Sequence, residues 1–458
     1  MKLSKAICLT GAAALTAFAA ADDTPVASNV TMTQQTPGRL VTITYQLANA
    51  PAVVTLDVQT NYTENGTTKW ASIGGEAVCN AQGDVWKKVG TAGATFNGTI
   101  KWRPDLSWEG HLIASGGARA VVMAWALDNT PDYMVVDLSD AAQPNTQRYY
   151  PGVDFIPGGI LGRPEYHTTK LVMRKIMAKD VEWTMGSTTL ETQRDAYSEK
   201  THQVTLTNNY YIGVFEITQA QWGLIYQNTP SYWTNAADRA MRPVEQVSYN
   251  RVRTSKNNDA NADYYWPVDP NPDSFLGKLR TKTGIDFDLP SEAQWEFAAR
   301  AGNGDTKWGD GSGISNTDED ANLTLFGRYI YNGGKVYNGS AYVNADKSCT
   351  AANATAIVGT YAPNAWGLYD TAGNVKEHCL DWQNAIITGY CGRVNIDFDN
   401  PQNDLSGIPS GPNGNRITRG GGWANSADGC RPAHREGLAP NSTMYNTGFR
   451  VTCRGGLQ

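Results

Sequence analysis

Apolar and polar residues alternate over much of the first third of the chain. Val41, Ile43, Tyr45 and Leu47 interleave with Thr42, Thr44 and Gln46. After the turn-prone Ala48-Asn49-Ala50-Pro51, Val54, Leu56 and Val58 alternate with Thr55, Asp57 and Gln59. A period of two sends successive side chains to opposite faces, so these runs predict half-buried strands. Residues 99–102 and 120–127 continue the pattern, with Gly and Pro between them. Several short strands without a helical stretch predict a β-sandwich of the fibronectin or immunoglobulin kind over residues 22–140. Such a unit reads as a spacer or adhesion module and carries no evident chemistry.

A stretch rich in Pro, Gly and polar residues follows and reads as a linker over residues 141–164. Beyond it the texture changes. Thr218-Gln219-Ala220-Gln221 and Ser291-Glu292-Ala293-Gln294 both fit a capping box, in which the first side chain and the Gln satisfy each other's backbone N–H groups. The second box predicts a helix to about Arg300 that stops near Gly302. Two short helices among irregular strands and Gly- and Asn-rich loops indicate a compact α+β domain over residues 165–458, not a parallel βαβ array.

Composition narrows the function classes. Charged residues are only 18% of the 458 and the net charge is −6, so there is no basic stripe of the kind nucleic-acid binding requires. Lys2 and Lys5 precede an apolar run over residues 6–21 that ends in two overlapping A-x-A patterns, Ala17 with Ala19 and Ala19 with Ala21. This reads as a signal peptide over residues 1–21, leaving no transmembrane segment after cleavage and a secreted or extracytoplasmic protein. Of the seven cysteines Cys8 falls in that leader, leaving Cys79, Cys349, Cys379, Cys391, Cys430 and Cys453 in an oxidising compartment where disulfides are permitted.

The second domain carries a series of short motifs in a fixed order. They are Trp183-Thr184-Met185-Gly186-Ser187; His202 to Leu206 with Tyr211 to Thr218; Arg242-Pro243-Val244 with Val247-Ser248-Tyr249; and Leu289-Pro290-Ser291-Glu292-Ala293-Gln294-Trp295-Glu296. Asn364 to Asp370, Gly373-Asn374-Val375, Arg419-Gly420-Gly421-Gly422-Trp423 and Gly448-Phe449-Arg450 complete the series. Each is weak alone. Together, from about residue 165 to 454, they resemble the formylglycine-generating enzyme (sulfatase-modifying factor) family along nearly its whole domain. The resemblance implies a low-secondary-structure relative of the C-type lectin fold.

It also implies a calcium loop. The matching positions are the side chains of Asp370 and Glu377 with the carbonyls of Gly373 and Val375. Ca²⁺ takes six to eight oxygens from carboxylates, carbonyls and water, and this acid-flanked turn could supply several. Asp370 stands where the family has Asn. The alternative is a turn whose acids face solvent or cap backbone groups.

The implied activity is oxidation of a client sulfatase cysteine to an aldehyde with O₂, on copper(I) held by two thiolates after a "G-G-S" turn. Here Cys430 stands at the second thiolate position and Asn425 at the first. An amide oxygen is a poor ligand for a soft ion. Gly422 replaces the family's Ser, and Lys376 and His378 replace its two Trp residues. These changes argue against copper. Cys430 is then either a reactive nucleophile, which needs a lowered pKa and exposure, or one half of a structural disulfide. Loop adjacency makes Cys379 its first expected partner, with Cys391 and Cys453 also open. His111, His167, His202, His378 and His434 show no metal-ligand spacing. The Gly420-Gly421-Gly422 run has no following helix to cradle phosphate and reads as a tight turn. The sequence therefore points to a calcium-binding, exported family member that lost the two-cysteine site and binds a protein or glycan ligand. The competing reading is an altered oxidase built on Cys430.

Overall fold

The computed structural model describes residues 24–455 except 109–111, 114–115, 140–146, 197, 235–236, 256–267, 334, 338–341, 345–353, 384–401 and 404–413. The expected leader therefore lies outside the described residues, as do Cys349 and Cys391. Among the described residues no helix is long and apolar enough to cross a membrane.

The alternating runs form two antiparallel sheets. In the first the order is Val26–Gln34, Val41–Ala48, Phe96–Trp102, Gln82–Gly83. The second is built on the long strand Ala52–Glu64, paired with Thr67–Ser72, Lys87–Val89 and Ala118–Trp125. Val41, Ile43, Tyr45 and Leu47 share one core with Val54, Leu56, Val58, Ile100 and Trp102. Thr55 and Asp57, at outward positions of the alternation, are buried as well. The reason is that the other face of this strand is also covered. Val53 packs into the core of the second domain, and Thr55 accepts the Trp125 indole N–H at 2.8 Å.

The expected linker at residues 141–164 does not match the sheets. Tyr133–Asp137 pairs with Lys170–Ile176, and Gln147–Tyr150 adds to its other edge. The resulting order is Gln147–Tyr150, Tyr133–Asp137, Lys170–Ile176, Tyr210–Gly213, Thr452–Arg454, which draws the chain's last strand beside these early ones. The stretch read as a linker is thus partly an edge strand. Tyr149, Tyr150, Ile156 and Ile160 are buried, and the Pro and Gly residues make turns that fold the segment back.

Both capping boxes form. Thr218 Oγ1 accepts the Gln221 N–H (3.2 Å) and Gln221 Oε1 accepts the Thr218 N–H (3.0 Å), opening helix Gln219–Tyr226. Ser291 and Gln294 do the same (3.2 and 3.0 Å) for helix Glu292–Arg300, which ends at Ala301 in the left-handed region. A third helix, Phe275–Thr283, was not expected. Ser274 caps it and Gly284 closes it at φ 68°, a start-and-stop pair that is readable in sequence. Trp222 of the first helix stacks on Phe275 at 4.8 Å. A four-stranded sheet ordered Arg435–Leu438, Asn415–Arg419, Lys376–Gln383, Thr447–Gly448 then carries the residues singled out by the sequence.

The two domains meet around Lys175, which is 4% exposed. Its ammonium donates to Asn129 Oδ1 (2.9 Å) and to the Thr130 carbonyl, while its backbone N–H reaches the Asp132 carbonyl (2.8 Å). Arg174 Nη1 bonds the same carbonyl at 3.2 Å. Lys175→Met strips both acceptors of their donor inside the junction. Stability in a urea titration should fall by about 1–3 kcal/mol, and an unchanged midpoint would show that the junction does not rely on this lysine.

Candidate functional site

The loop expected to hold calcium is organised by Arg450. This guanidinium is fully buried and donates through Nε and Nη2 to the two Glu377 oxygens, both at 2.6 Å. It also reaches the carbonyls of Gly213 (3.0 Å), Tyr369 (2.9 Å) and Asp370 (3.3 Å). The Trp295 indole N–H donates to Glu377 Oε2 at 2.8 Å, which ties in helix Glu292–Arg300. Gly373, at φ 92°, must be glycine: a Cβ there would lie 2.1 Å from the Arg328 carbonyl oxygen.

Sequence reading missed Glu216, which is buried opposite this loop. It accepts Asn374 Nδ2 (2.7 Å) and the Val375 N–H (3.0 Å). Burial, reinforced by the charges of Asp370 and Glu377, drives its carboxyl well above the usual range. Burial also pushes Asp370 up to about 6, against the Gly359 N–H and Arg450, which favour its charged form. Three buried carboxylates thus face one guanidinium.

The calcium set fits this arrangement only in part. Asp370 Oδ2 accepts the Gly359 N–H (2.7 Å), whereas its Oδ1 is buried without a hydrogen-bond partner. Both Glu377 oxygens are committed to Arg450 and Trp295. Among the described residues no three His, Cys, Asp or Glu side chains converge as a metal cluster.

The turn expected to carry oxidase chemistry lies next to this loop. Gly421 sits at φ 64°, and a Cβ on it would lie 2.8 Å from Cys430 Sγ and 2.4 Å from the Gly429 carbonyl oxygen, so the glycine run is a tight turn laid on the cysteine. Asn425 accepts the Gly422 N–H (3.1 Å) through Oδ1 and donates to Glu436 Oε1 (3.3 Å) through Nδ2. Cys430 is fully buried among Trp308, Leu323, Phe326, Tyr329, Ala372 and Ala427. Burial, with Asp428 adding, holds its thiol far above the ordinary pKa despite Lys376 nearby.

The disulfide expected for Cys430 is not formed, and burial disfavours the thiolate that an activated nucleophile needs. Among the described residues Cys79, Cys379, Cys430 and Cys453 are free thiols, while Cys391, the other partner considered for Cys430, lies outside them. Cys379 packs with Trp295, Ala299 and Ile417, and Cys453 lies in another core, so neighbouring loops deliver these thiols to separate apolar clusters. His378 is likewise a core residue. Its Nε2 lies 3.0 Å from the Val247 carbonyl, and burial lowers its pKa to about 4.

The polar groups that do meet at this face form a chain of ion pairs. Lys376 pairs with Glu436; His434 lies between Glu436 (3.3 Å) and Glu199 (3.7 Å); and Arg431 grips Glu199 through both nitrogens (2.8 and 2.9 Å) and also Glu191. Arg431 follows Cys430 directly and His434 lies three residues further on, while Glu191 and Glu199 belong to the loop after Ser187, which is thereby pinned to the cysteine turn. No local sequence signal links partners more than 230 positions apart.

The sequence profile of the "Sulfatase-modifying factor enzyme 1-like domain" matches residues 170–454. This chain belongs to that family. The sulfatase-modifying-factor domain is 28% identical over 279 residues to a protein named chaperone protein LppX from Paenibacillus barcinonensis, covering 57% of this chain and 85% of the relative. It is 33% identical over 249 residues to the formylglycine-generating enzyme of Thermomonospora curvata, covering 51% of this chain and 64% of that enzyme. Against the Streptomyces coelicolor enzyme it is 33% identical over 167 residues, 35% of this chain and 45% of the enzyme. Among solved structures, Treponema denticola variable protein 1 superposes with a TM-score of 0.44 at 28% identity, over 62% of this chain and 96% of that one.

The ion-pair chain sets a pH window for this family member's stability. Desolvation alone would raise Glu199 and Glu436, but hydrogen bonds from His434, with Arg431 on one and Lys376 on the other, bring both down to about 2. Their contribution is present above the unfolded carboxylate pKa, about 4.3, and is lost as pH falls toward 2. For His434, desolvation is outweighed by bonds to Glu199 and Glu436, so its pKa is raised. Its contribution is present below about 6.5 and is lost as pH rises through the folded value. Melting temperature should peak between those two limits, and His434→Gln should flatten the alkaline side. An alkaline limb identical in the variant would show that His434 does not couple to folding.

Proposed function

We propose that this sulfatase-modifying-factor protein is exported and acts by binding a partner, without formylglycine-generating oxidase activity. The observation that carries the reading is the pair of positions 425 and 430. A two-coordinate copper(I) site needs two accessible thiolates. Here one position is an amide already spent on Gly422 and Glu436, and the other is a buried thiol whose pKa burial raises. A relative whose name makes it a chaperone supports binding as a role for this domain, and the apolar run after Lys2 and Lys5 supports export.

The direct experiment incubates the copper-loaded protein with a Cys-x-Pro-x-Arg peptide and follows O₂ uptake and the peptide's mass. No aldehyde product is expected. Turnover at an enzymatic rate would sink the binding reading and restore an oxidase built on Cys430.

We also propose that calcium binds at the 370–377 loop through Asp370 Oδ1 and the carbonyls of Gly373 and Val375, with water completing the set. The orphaned Asp370 oxygen and the surplus of buried carboxylates support this. Glu377 would join only by leaving Arg450. Millimolar CaCl₂ should raise the melting temperature of the wild type and leave Asp370→Ala unmoved, with MgCl₂ as control. An equal calcium shift in both proteins would remove Asp370 from the site.

A further inference from the structure

A small cavity lies where the loop after Ser187 meets helix Glu292–Arg300 and strand Arg435–Leu438. Its lining includes Gly186, Glu199, His202, Glu292, Glu296 and Arg435, and the volume open to a water-sized sphere is about 20 Å³. Glu199, His202, Glu292 and Glu296 are all buried. A site of this kind holds a water when it offers at least about 10–15 Å³ and two to four polar partners. The volume suffices.

The charges around the cavity select a neutral occupant. Glu191 and Glu199 both face Arg431, Glu292 faces Arg435 and Arg419, and Glu296 faces Arg419 and Arg300. Each of these carboxylates thus has a guanidinium partner, so none is left over to hold a cation, and the same carboxylates repel an anion. Hydrogen-bonding capacity, by contrast, is left over. A carboxylate oxygen has two lone pairs, yet among the described residues Glu296 Oε2 accepts from Arg419 Nη2 alone. Arg419 Nε is buried, lies 3.5 Å from Glu292 Oε1 and donates no hydrogen bond. An unused acceptor and an unused donor therefore stand on a guanidinium–carboxylate pair at the cavity. Left dry, each would carry the cost of a buried polar group without a partner.

We propose that this cavity is the binding site of an ordered structural water, hydrogen-bonded to Glu296 and Arg419 beneath the loop after Ser187. The walls are fixed by direct bonds. The Gly186 N–H donates to Glu296 Oε1 (2.9 Å), Arg300 Nη2 donates to the Gly186 carbonyl (2.6 Å), and the Ser187 N–H donates to the Glu199 carbonyl (2.9 Å). The water completes this frame and does not shape it. A bridging water is nearly as favourable as a direct hydrogen bond and costs little to immobilise in a site already formed. The loop that Arg431 grips on one side is then held on the other through solvent. This holds whether the domain binds a partner or oxidises a client, so it stands apart from the binding reading above.

The experiment pairs a high-resolution crystal structure of the full chain with water relaxation dispersion in solution, which counts long-lived buried waters. A density peak within hydrogen-bond reach of Glu296 Oε2 and Arg419 Nε is expected. Ala433 is buried and lines the cavity, so substitutions there alter its contents. Ala433→Val should remove one long-lived water and lower the melting temperature by about 2–4 °C, because nothing replaces the lost hydrogen bonds. Ala433→Ser, whose hydroxyl takes the water's place, should also remove it but melt within about 1 °C of the wild type. In a dry cavity the valine would fill a void and raise the melting temperature instead. That rise, an unchanged water count in both variants, or a wild-type structure without the peak would each overturn the proposal. Greater stability in KCl than in NaCl at equal ionic strength would put a cation in the cavity and overturn it too. If Ala433→Val does not fold, the wild-type density and the Ala433→Ser water count still decide.

Discussion

The Arg450–Glu377 pair is the interaction on which the second domain depends. One guanidinium spans two strands, a loop and, through Trp295, a helix. Removing two charges from water costs several kcal/mol per ion, and the mutual attraction offsets this only when geometry is good and remaining donors are satisfied. Here the bidentate fork faces the carboxylate and the spare N–H groups reach backbone carbonyls. The pair cannot be cut on one side cheaply, because the survivor would be a bare buried charge. That constraint keeps the 370–377 loop in one conformation, and the Cys430 turn rests on that loop: the Trp423 N–H donates to the Asn374 carbonyl at 2.8 Å.

The same device recurs throughout the domain. Arg242, Arg253, Arg416, Arg419, Arg431 and Arg450 are among the largest fully buried side chains. Several spend donors on loop carbonyls: Arg419 on Ala433 and His434, Arg416 on Leu380, Arg431 on Gln193, Arg253 on Val268. A fold with few regular elements buries backbone that no ladder or helix can satisfy, and each buried carbonyl needs a partner. Five donors in a rigid plane suit that task better than a lysine's point charge. Arginine does here what a sheet does elsewhere.

This division explains what was legible in the sequence. Local rules could be read directly. The alternation around Val41 and Val54 gave strands, and the Thr218 and Ser291 boxes gave helix starts, because their partners lie within a few residues. The tight turn at Gly420 to Gly422 was legible for the same reason. The long-range pairings were not. Glu216, Glu199 and Glu191 look like ordinary surface acids until Asn374 and Arg431 arrive from far along the chain. The sheet edge at Gln147–Tyr150 was hidden for another reason, since four residues amid Pro and Gly are too few to show a period. The expected Cys379–Cys430 pairing failed because cysteine count and loop adjacency do not reveal that these two thiols fall into different apolar clusters.

The contrast between those clusters bears on what holds the turn at residues 420–430 in place. A copper site asks two thiolates to stay exposed and unpaired, which leaves the surrounding loop to be held by the metal. With Asn425 in place of one thiolate, the side chain closes the loop on itself through Gly422 and Glu436, and Cys430 turns into the core as a small apolar residue. Two hydrogen bonds and one buried sulfur then supply the rigidity a metal would otherwise supply. A loop held in this way does not need a metal for its rigidity, and its neighbour Trp423 is fixed in the core by its indole N–H on the Tyr445 carbonyl. Stability at this turn and exposure of chemistry at this turn are therefore alternatives, and on the binding reading proposed above residues 425 and 430 serve the first.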